Sequence, residues 1–303
     1  MKLALVGIGK IALDQHVPAI AASPDWDLAA TVSRHGKVVG VESFTDIQTM
    51  LEARPDIETV SLCLPPVPRF DAAQAVLRAG RNLMLEKPPG ATLAEVHILQ
   101  DLATAQGVTI FASWHSRMAH AVAAATAWLA DKTVQSGRII WREDVRRWHP
   151  GQDWIFDAGG MGVFDPGINA LSILTKILPA PVRVIGAELD IPDNRQAPIA
   201  ARLDLSGAIT ADFDFRQQGP QTWDMEFVTD AGPMALRMGG NILEIDGVPS
   251  AGINDISGEY PALYARMSAL VRAGASDVDL APMVLVADAF TLGRRNTVAA
   301  FDF

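Results

Sequence analysis

The sequence predicts an α/β protein of two domains, with a doubly wound parallel sheet over residues 1–117 and an α+β domain over 118–303 built on a mostly antiparallel open sheet. Three observations predict it. The first 115 or so residues alternate short apolar runs with helical patterns, which implies parallel strands covered by helices on both faces. A Gly-x-Gly turn separates the first apolar run from the first helix. Beyond the Ala-rich helix that follows, strand-like runs succeed one another without intervening helices, as an antiparallel sheet requires.

The runs of the first domain are Leu3–Val6, Leu28–Val32, Thr59–Leu64, Leu83–Leu85 and Val108–Ala112. Between them lie a helix through Ile20, one from Thr45, one over Phe70–Ala79 and one from Thr92. Thr45 with Gln48, and Thr92 with Glu95, have the spacing of capping boxes, while Gly80 and Gly107 stand where helices stop. An Ala-rich helix over Ala119–Leu129 opens the second domain. Strands are expected at Ile139–Trp141, Val182–Leu189, Ile199–Leu205, Ile209–Phe215, Trp223–Val228 and Ile242–Ile245, separated by Gly, Pro, Asp and Asn turns. Helices over Pro261–Ala273 and Pro282–Arg295 close the chain.

Composition agrees with this size. A chain of 303 residues, 49% hydrophobic and 20% charged, suits two packed domains rather than a disordered protein. No apolar run reaches the roughly 18 residues of a membrane span. Met1–Val6 runs into Gly-x-Gly instead of a cleavage site, so it reads as a strand and not a signal peptide. The single cysteine, Cys63, has no partner for an internal disulfide, and no Cys/His cluster has metal spacing, so no metal and a cytoplasmic setting are expected. A net charge of -10 argues against nucleic acid and anionic membranes as partners. A monomer or homodimer is expected.

Gly7-Ile8-Gly9-Lys10-Ile11-Ala12 is the Gly-x-Gly-x-x-Gly/Ala fingerprint of a Rossmann dinucleotide site, here in its required strand–turn–helix context. Gly7 allows the tight turn, Gly9 lets a pyrophosphate approach the backbone, and Ala12 permits close helix packing. The second strand ends in Ser33-Arg34-His35 with Lys37 close behind, where an NAD site usually carries an acid. A hydroxyl and a guanidinium suit a 2′-phosphate, so NADP is expected over NAD. Leu64, Pro65, Pro66, Arg69 and Glu86 complete the expected cofactor contacts.

Glu86-Lys87-Pro88-Pro89 follows the run Asn82–Leu85, which puts Lys87 at the carboxyl end of a parallel strand, where ligands of open sheets bind. The Lys87–Pro88 bond is compatible with either isomer. In Phe164-Asp165-Pro166-Gly167-Ile168-Asn169, Asp165 and Asn169 stand one helical turn apart on one face. Asp before Pro is also a good helix N-cap, and the residue types alone favour the cap.

Together, Gly7-x-Gly9, Glu86-Lys87-Pro88 and Gly160–Asn169 resemble the glucose–fructose oxidoreductase / inositol dehydrogenase / rhizopine catabolism (Gfo/Idh/MocA) family over essentially the whole chain. The strings Trp114–Arg117, Glu143–Gln152 and Phe164–Asn169 are similar to the members acting at C1 of L-arabinose or D-galactose. The resemblance implies oxidation of an aldopyranose to its lactone with hydride passing to nicotinamide, and Asp165 facing Lys87 across a cleft. Family members commonly pair the lysine with an aspartate and, four residues on, a histidine; here that place is Asn169. An amide has no accessible titration, so Asn169 is left to orient the C1 hydroxyl, and Lys87 and Asp165 remain as alternative proton acceptors.

Five of the seven tryptophans, Trp114, Trp128, Trp141, Trp148 and Trp154, fall between residues 114 and 154. Flat indoles pack against the C–H faces of a sugar while polar groups read its edges. His115, Glu143, Trp148 and His149 are the expected edge-readers, and Trp223 completes the wall. Trp128 and Trp141 are expected in the core. Alternatives on the same scaffold are a cyclitol or dihydrodiol dehydrogenase, or a non-catalytic NADP or sugar sensor.

Overall fold

The structure, a computed structural model, describes residues 1–303. The chain divides into two compact units, Met1–His115 with Tyr260–Asp279, and Ser116–Glu259 with Leu280–Phe303. Sequence order had assigned Tyr260–Asp279 to the second domain. An amphipathic helix carries no mark of the sheet it will cover, and this one returns to the first.

In the first unit, β1 (Lys2–Val6), β2 (Asp27–Val32), β3 (Glu42–Phe44), β4 (Thr59–Leu62), β5 (Asn82–Glu86) and β6 (Ile110–Ser113) form a wholly parallel sheet in the order β3-β2-β1-β4-β5-β6. Its central strands are buried on both faces because helices cover both. The order reverses between β1 and β4, so the turns after these strands open at the switch point where such sheets bind ligands. β3, three residues long and exposed, shows no apolar pattern and was not anticipated.

Helix punctuation is partly as expected. Thr92 and Glu95 make a reciprocal capping box, Thr92 Oγ1 accepting from Glu95 N–H at 3.2 Å and Glu95 Oε2 from Thr92 N–H at 3.4 Å. Gly107 is the left-handed C-cap at φ 66°. At the second helix, Ile47–Ala53, the cap is Asp46 and not Thr45: its Oδ1 accepts from Thr49 N–H at 2.8 Å. A carboxylate is the better acceptor, and such a cap is worth about 1 kcal/mol.

The returning helix, Glu259–Ala273, is held by Trp26 Nε1–H donating to the Tyr264 carbonyl at 2.9 Å and by Ser268 Oγ–H donating to Asp25 at 2.7 Å. Beyond it, Asp277 pairs in parallel with Phe111 and so lengthens the sheet past β6.

The second unit holds β7 (Val134–Arg142), β8 (Val184–Pro192), β9 (Ala200–Leu205), β10 (Ile209–Asp214), β11 (Thr222–Thr229), β12 (Gly232–Arg237), β13 (Ile242–Ile245), β14 (Val248–Gly252) and β15 (Arg294–Val298). They form one sheet, ordered β14-β13-β12-β11-β7-β10-β9-β8-β15, antiparallel except for the β7–β10 and β8–β15 pairs. β12, β14 and β15 were not expected from sequence; the last helix, Ala281–Leu292, stops at Gly293, and the stretch read as its end is β15.

Alternation along the strands gives the sheet one apolar face. Helix Phe164–Ile177 packs there with 11 of its 14 residues buried. Gly167 makes the approach possible, since a Cβ at that position would stand 2.9 Å from Phe213 Cδ2 on β10. The other face carries ion pairs such as Arg142–Asp212 and Arg216–Asp214, which add little stability in water. No helix in either unit is long and apolar enough to cross a membrane.

Candidate active site

The residues expected to bind a dinucleotide gather in the first unit. Gly7 takes φ 87°, and a Cβ on it would lie 3.0 Å from both Cys63 C and Leu64 N, so β1 and β4 approach closely only through glycine. Gly9 has open space where its Cβ would be, which leaves room for a phosphate. The helical run starts at Lys10, and its first-turn amides have no intrahelical acceptors. Ile8 is buried against Gly36, bringing the Ser33–Lys37 turn onto the glycine loop. Ser33 Oγ accepts from Gly36 N–H at 3.1 Å, while Arg34, His35 and Lys37 are exposed. Ile11 is exposed and Lys10 pairs with Asp14. This cradle fits a dinucleotide.

Leu64 and Pro65 form the turn after β4, and Pro66 opens helix Pro66–Arg78. Arg69 is 98% buried in its first turn; Nε–H donates to the Leu64 carbonyl at 2.9 Å, and the terminal nitrogens reach the carbonyls of Leu64, Glu86 and Pro88. Expected as a cofactor contact, Arg69 instead ties the turn after β4 to the turn that bears Lys87.

Lys87 is half-buried and joined to Pro88 by a cis bond. Glu86, the last residue of β5, is buried, so its carboxylate serves the protein interior. Its Oε2 accepts from Lys87 N–H at 2.7 Å, and Oε1 accepts from Tyr260 O–H at 2.8 Å and meets His16 Nε2 at 3.1 Å. Burial opposes the charge, but the His16 hydrogen bond and the positive fields of His16, His115 and Lys87 outweigh it and hold the carboxyl at about 2. His16 is itself raised well above 6.5: burial opposes its proton, and Cys63, Tyr264 and Glu86 favour it. His115 also lies in this unit, its ring stacked on Tyr260 with centroids 5.5 Å apart.

The other predicted residues gather in the second unit. β7 runs directly into Glu143, whose Oε2 accepts from Trp223 Nε1–H at 2.8 Å. Trp223 stands opposite Trp141 in the β7–β11 pair, and its ring lies 5.9 Å from that of Trp148. Trp148 ends a one-turn helix, Val145–Trp148, capped by Asp144. Gln221 Oε1 accepts from Asp144 N–H at 2.7 Å and Trp148 Nε1–H at 3.4 Å, anchoring the whole turn to the start of β11.

His149 follows, with Nε2 3.1 Å from Asp165 Oδ2 and Nδ1 3.4 Å from Gln152 Oε1. Asp165 is not the helix cap that residue types favoured. The N-cap is Val163, Asp165 sits in the first turn, and its carboxylate turns sideways to His149. Asn169, one turn on, is half-buried and its carboxamide makes no hydrogen bond within the protein.

Trp141 is core, as expected, but Trp128 is only half-buried beneath the Lys132 ammonium. Trp114 belongs to the first unit, its indole N–H donating to the Asp279 carbonyl at 2.8 Å. Trp154 is half-buried in the turn Asp153–Phe156. Sequence reasoning missed His16, Gln221 and Tyr260. Only His16, four residues after the fingerprint on the helix it opens, carried any signal.

A glycine loop at the switch point of a parallel sheet, joined to an open-sheet unit bearing an imidazole–carboxylate pair, defines a two-unit dinucleotide-dependent enzyme fold. The profile of the oxidoreductase family with an NAD-binding Rossmann fold, Gfo/Idh/MocA, matches residues 1–113. Galactose 1-dehydrogenase of Pseudomonas fluorescens is 44% identical over 99% of this chain and 98% of its own. The chain belongs to the Gfo/Idh/MocA oxidoreductase family. Among solved structures, the D-galactose-1-dehydrogenase protein from Rhizobium etli superimposes with a TM-score of 0.94 at 55% identity, covering 99% of this chain and 97% of its own. A 3-ketoreductase from Actinomadura kijaniata in complex with NADP and TDP-benzene shares the fold alone, with a TM-score of 0.83 at 19% identity over 100% of this chain and 99% of its own.

Proposed function

We propose that this chain is an aldose 1-dehydrogenase that oxidises D-galactose, L-arabinose or both at C1 to the lactone, with NADP as preferred hydride acceptor and NAD as a weaker one. The observation that carries the reading is the grouping of Trp148, Trp223, Glu143, His149 and Asp165 in one unit of a chain similar over its full length to galactose 1-dehydrogenases. Indole faces suit the C–H surface of a pyranose, and carboxylate and imidazole edges suit its hydroxyls. The enzyme acts in the cytoplasm as a monomer or homodimer.

Bound NADP supplies the hydride acceptor. Every other step falls to the protein. Asn169 orients the C1 hydroxyl with its uncommitted carboxamide. As the C1–H bond breaks with its electron pair, the C1 oxygen becomes a carbonyl and the hydroxyl proton passes to Lys87 or Asp165. His149 holds the Asp165 carboxylate in place, and Arg34 and Ser33 select the 2′-phosphate. L-Arabinose and D-galactose pyranoses share ring hydroxyl stereochemistry, so discrimination rests on the space at C5.

Initial rates with a panel of aldoses under NADP and NAD test the reading. Reduced cofactor followed by slow acid release from lactone hydrolysis is the expected result. Failure of both sugars to reduce either cofactor would sink it.

A further inference from the structure

We propose that Tyr260 is a positioning residue for both Lys87 and His115, acting on the first through Glu86 and on the second through its ring face. The proposal rests on the reading of Lys87 as a group at the reaction centre. Tyr260 comes from the returning helix Glu259–Ala273, over 170 positions from Glu86 in sequence, and is buried.

Three donors converge on the Glu86 carboxylate. Tyr260 O–H and His16 Nε2 meet Oε1 at 2.8 and 3.1 Å, and the Lys87 backbone N–H meets Oε2 at 2.7 Å. A carboxylate bonded on both oxygens has its plane fixed, and a charged acceptor makes these bonds strong. The amide that introduces Lys87 is thereby fixed to the same plane. The ring of Tyr260 lies nearly parallel to that of His115, at 19°, and meets the His16 ring edge-on, with centroids 4.9 Å apart. One phenol therefore contacts the residue that directs Lys87 and the imidazole expected to read the sugar.

The helix that delivers it is anchored independently of Glu86. Tyr264 O–H lies 2.8 Å from His16 Nδ1, and Trp26 and Ser268 tie the same helix to the turn before β2. Removing the Tyr260 hydroxyl thus takes away one donor and leaves the helix in place. Glu86 then keeps one donor on each oxygen, His16 and the Lys87 amide, and holds the Lys87 turn less firmly than with three.

The test compares wild type with Tyr260→Phe, which keeps the ring, and Tyr260→Leu, which removes it. Lys87 is acetylated by limiting acetic anhydride and read by mass spectrometry against exposed Lys2 in the same molecule. A change of about threefold or more in the Lys87-to-Lys2 ratio is expected in Tyr260→Phe, matching the loss of one buried hydrogen bond. With galactose and NADP, kcat falls about tenfold in that variant while the cofactor KM holds. Tyr260→Leu adds a rise in sugar KM that Tyr260→Phe lacks, because His115 loses its platform; a merely structural role would move both variants alike. An unchanged labelling ratio in folded Tyr260→Phe overturns the proposal. Should that variant not fold, Glu86→Gln carries the same labelling test. Wild type that labels as expected relative to the variants but oxidises no aldose would sink the galactose reading and leave the positioning role standing.

Discussion

His149 Nε2 stands 3.1 Å from Asp165 Oδ2, which makes the carboxylate of the FDPGIN segment a member of an imidazole pair instead of a helix cap. The pair joins the first turn of helix Phe164–Ile177 to the turn that follows β7. His149→Ala leaves the carboxylate without this director. We expect kcat with galactose to fall about tenfold while cofactor affinity, read by fluorescence titration, holds. Unchanged kcat would show that Asp165 needs no guide.

Asn169 lies one turn beyond Asp165 and carries an unpaired carboxamide. Replacing it with histidine installs a titrating group. The pH–rate profile of Asn169→His should gain a new limb near the ordinary imidazole range of about 6.5. A profile and turnover identical to wild type would remove Asn169 from the reaction.

Gln221 gives one oxygen to two donors, the Asp144 amide and the Trp148 indole. Without it the Trp148 turn loses its tie to β11, and the indole wall loosens. Gln221→Ala should raise the sugar KM by about threefold to tenfold, the worth of one or two such bonds, and leave the cofactor KM alone. Equal KM values for sugar would exclude the anchor.

Arg34 is exposed at the end of a strand that lacks the acid of an NAD site. Arg34→Ala should weaken NADP by about tenfold or more, a charge-assisted contact's worth, with NAD unaffected. A constant ratio of kcat/KM for the two cofactors would return Arg34 to the status of a solvated loop residue.

The buried His16–Glu86 pair makes stability depend on pH from both sides. Glu86 is held at about 2, below its ordinary 4.5, so its contribution is complete above 4.5 and is lost as pH falls through 2. His16 is raised above 6.5, so its contribution is complete below 6.5 and fades as pH rises through the raised value. Both are present together between 4.5 and 6.5. Cys63, Tyr264, Tyr260, His115 and Lys87 are the other titratable groups around the pair. His16→Gln removes the charge, and denaturant titrations should find it about 3 kcal/mol less stable in that window. The deficit should shrink toward either extreme; a deficit that does not vary with pH would mean the pair is not ionised.

The first unit was largely legible because its signals are local. Gly7 and Gly9 declare themselves by their spacing at the end of the first strand, and a strand such as β5 reads as an unbroken apolar run, Leu83–Leu85. Thr92 announced its helix through a residue three places on. Asp165 and Asn169 fell on one helix face by spacing alone, whichever partners they would meet. Edge strands such as β3 and β15 were not legible: pairing on one side demands little of their side chains.

What the sequence determined, then, was the kind of sheet in each half, the place of the phosphate loop, and a set of chemically able residues at the strand ends and on one helix. Only the tertiary structure decided their partners. Asp165 looked like a cap until His149 met it, Arg69 looked like a cofactor ligand until its guanidinium met three backbone carbonyls, and Tyr260 carried no signal before the chain returned to lay it on Glu86 and His115. The reason is one of range. Periodicity and capping act within a few residues and leave their mark in the string, whereas a hydrogen bond across 174 positions constrains two residues whose spacing obeys no rule.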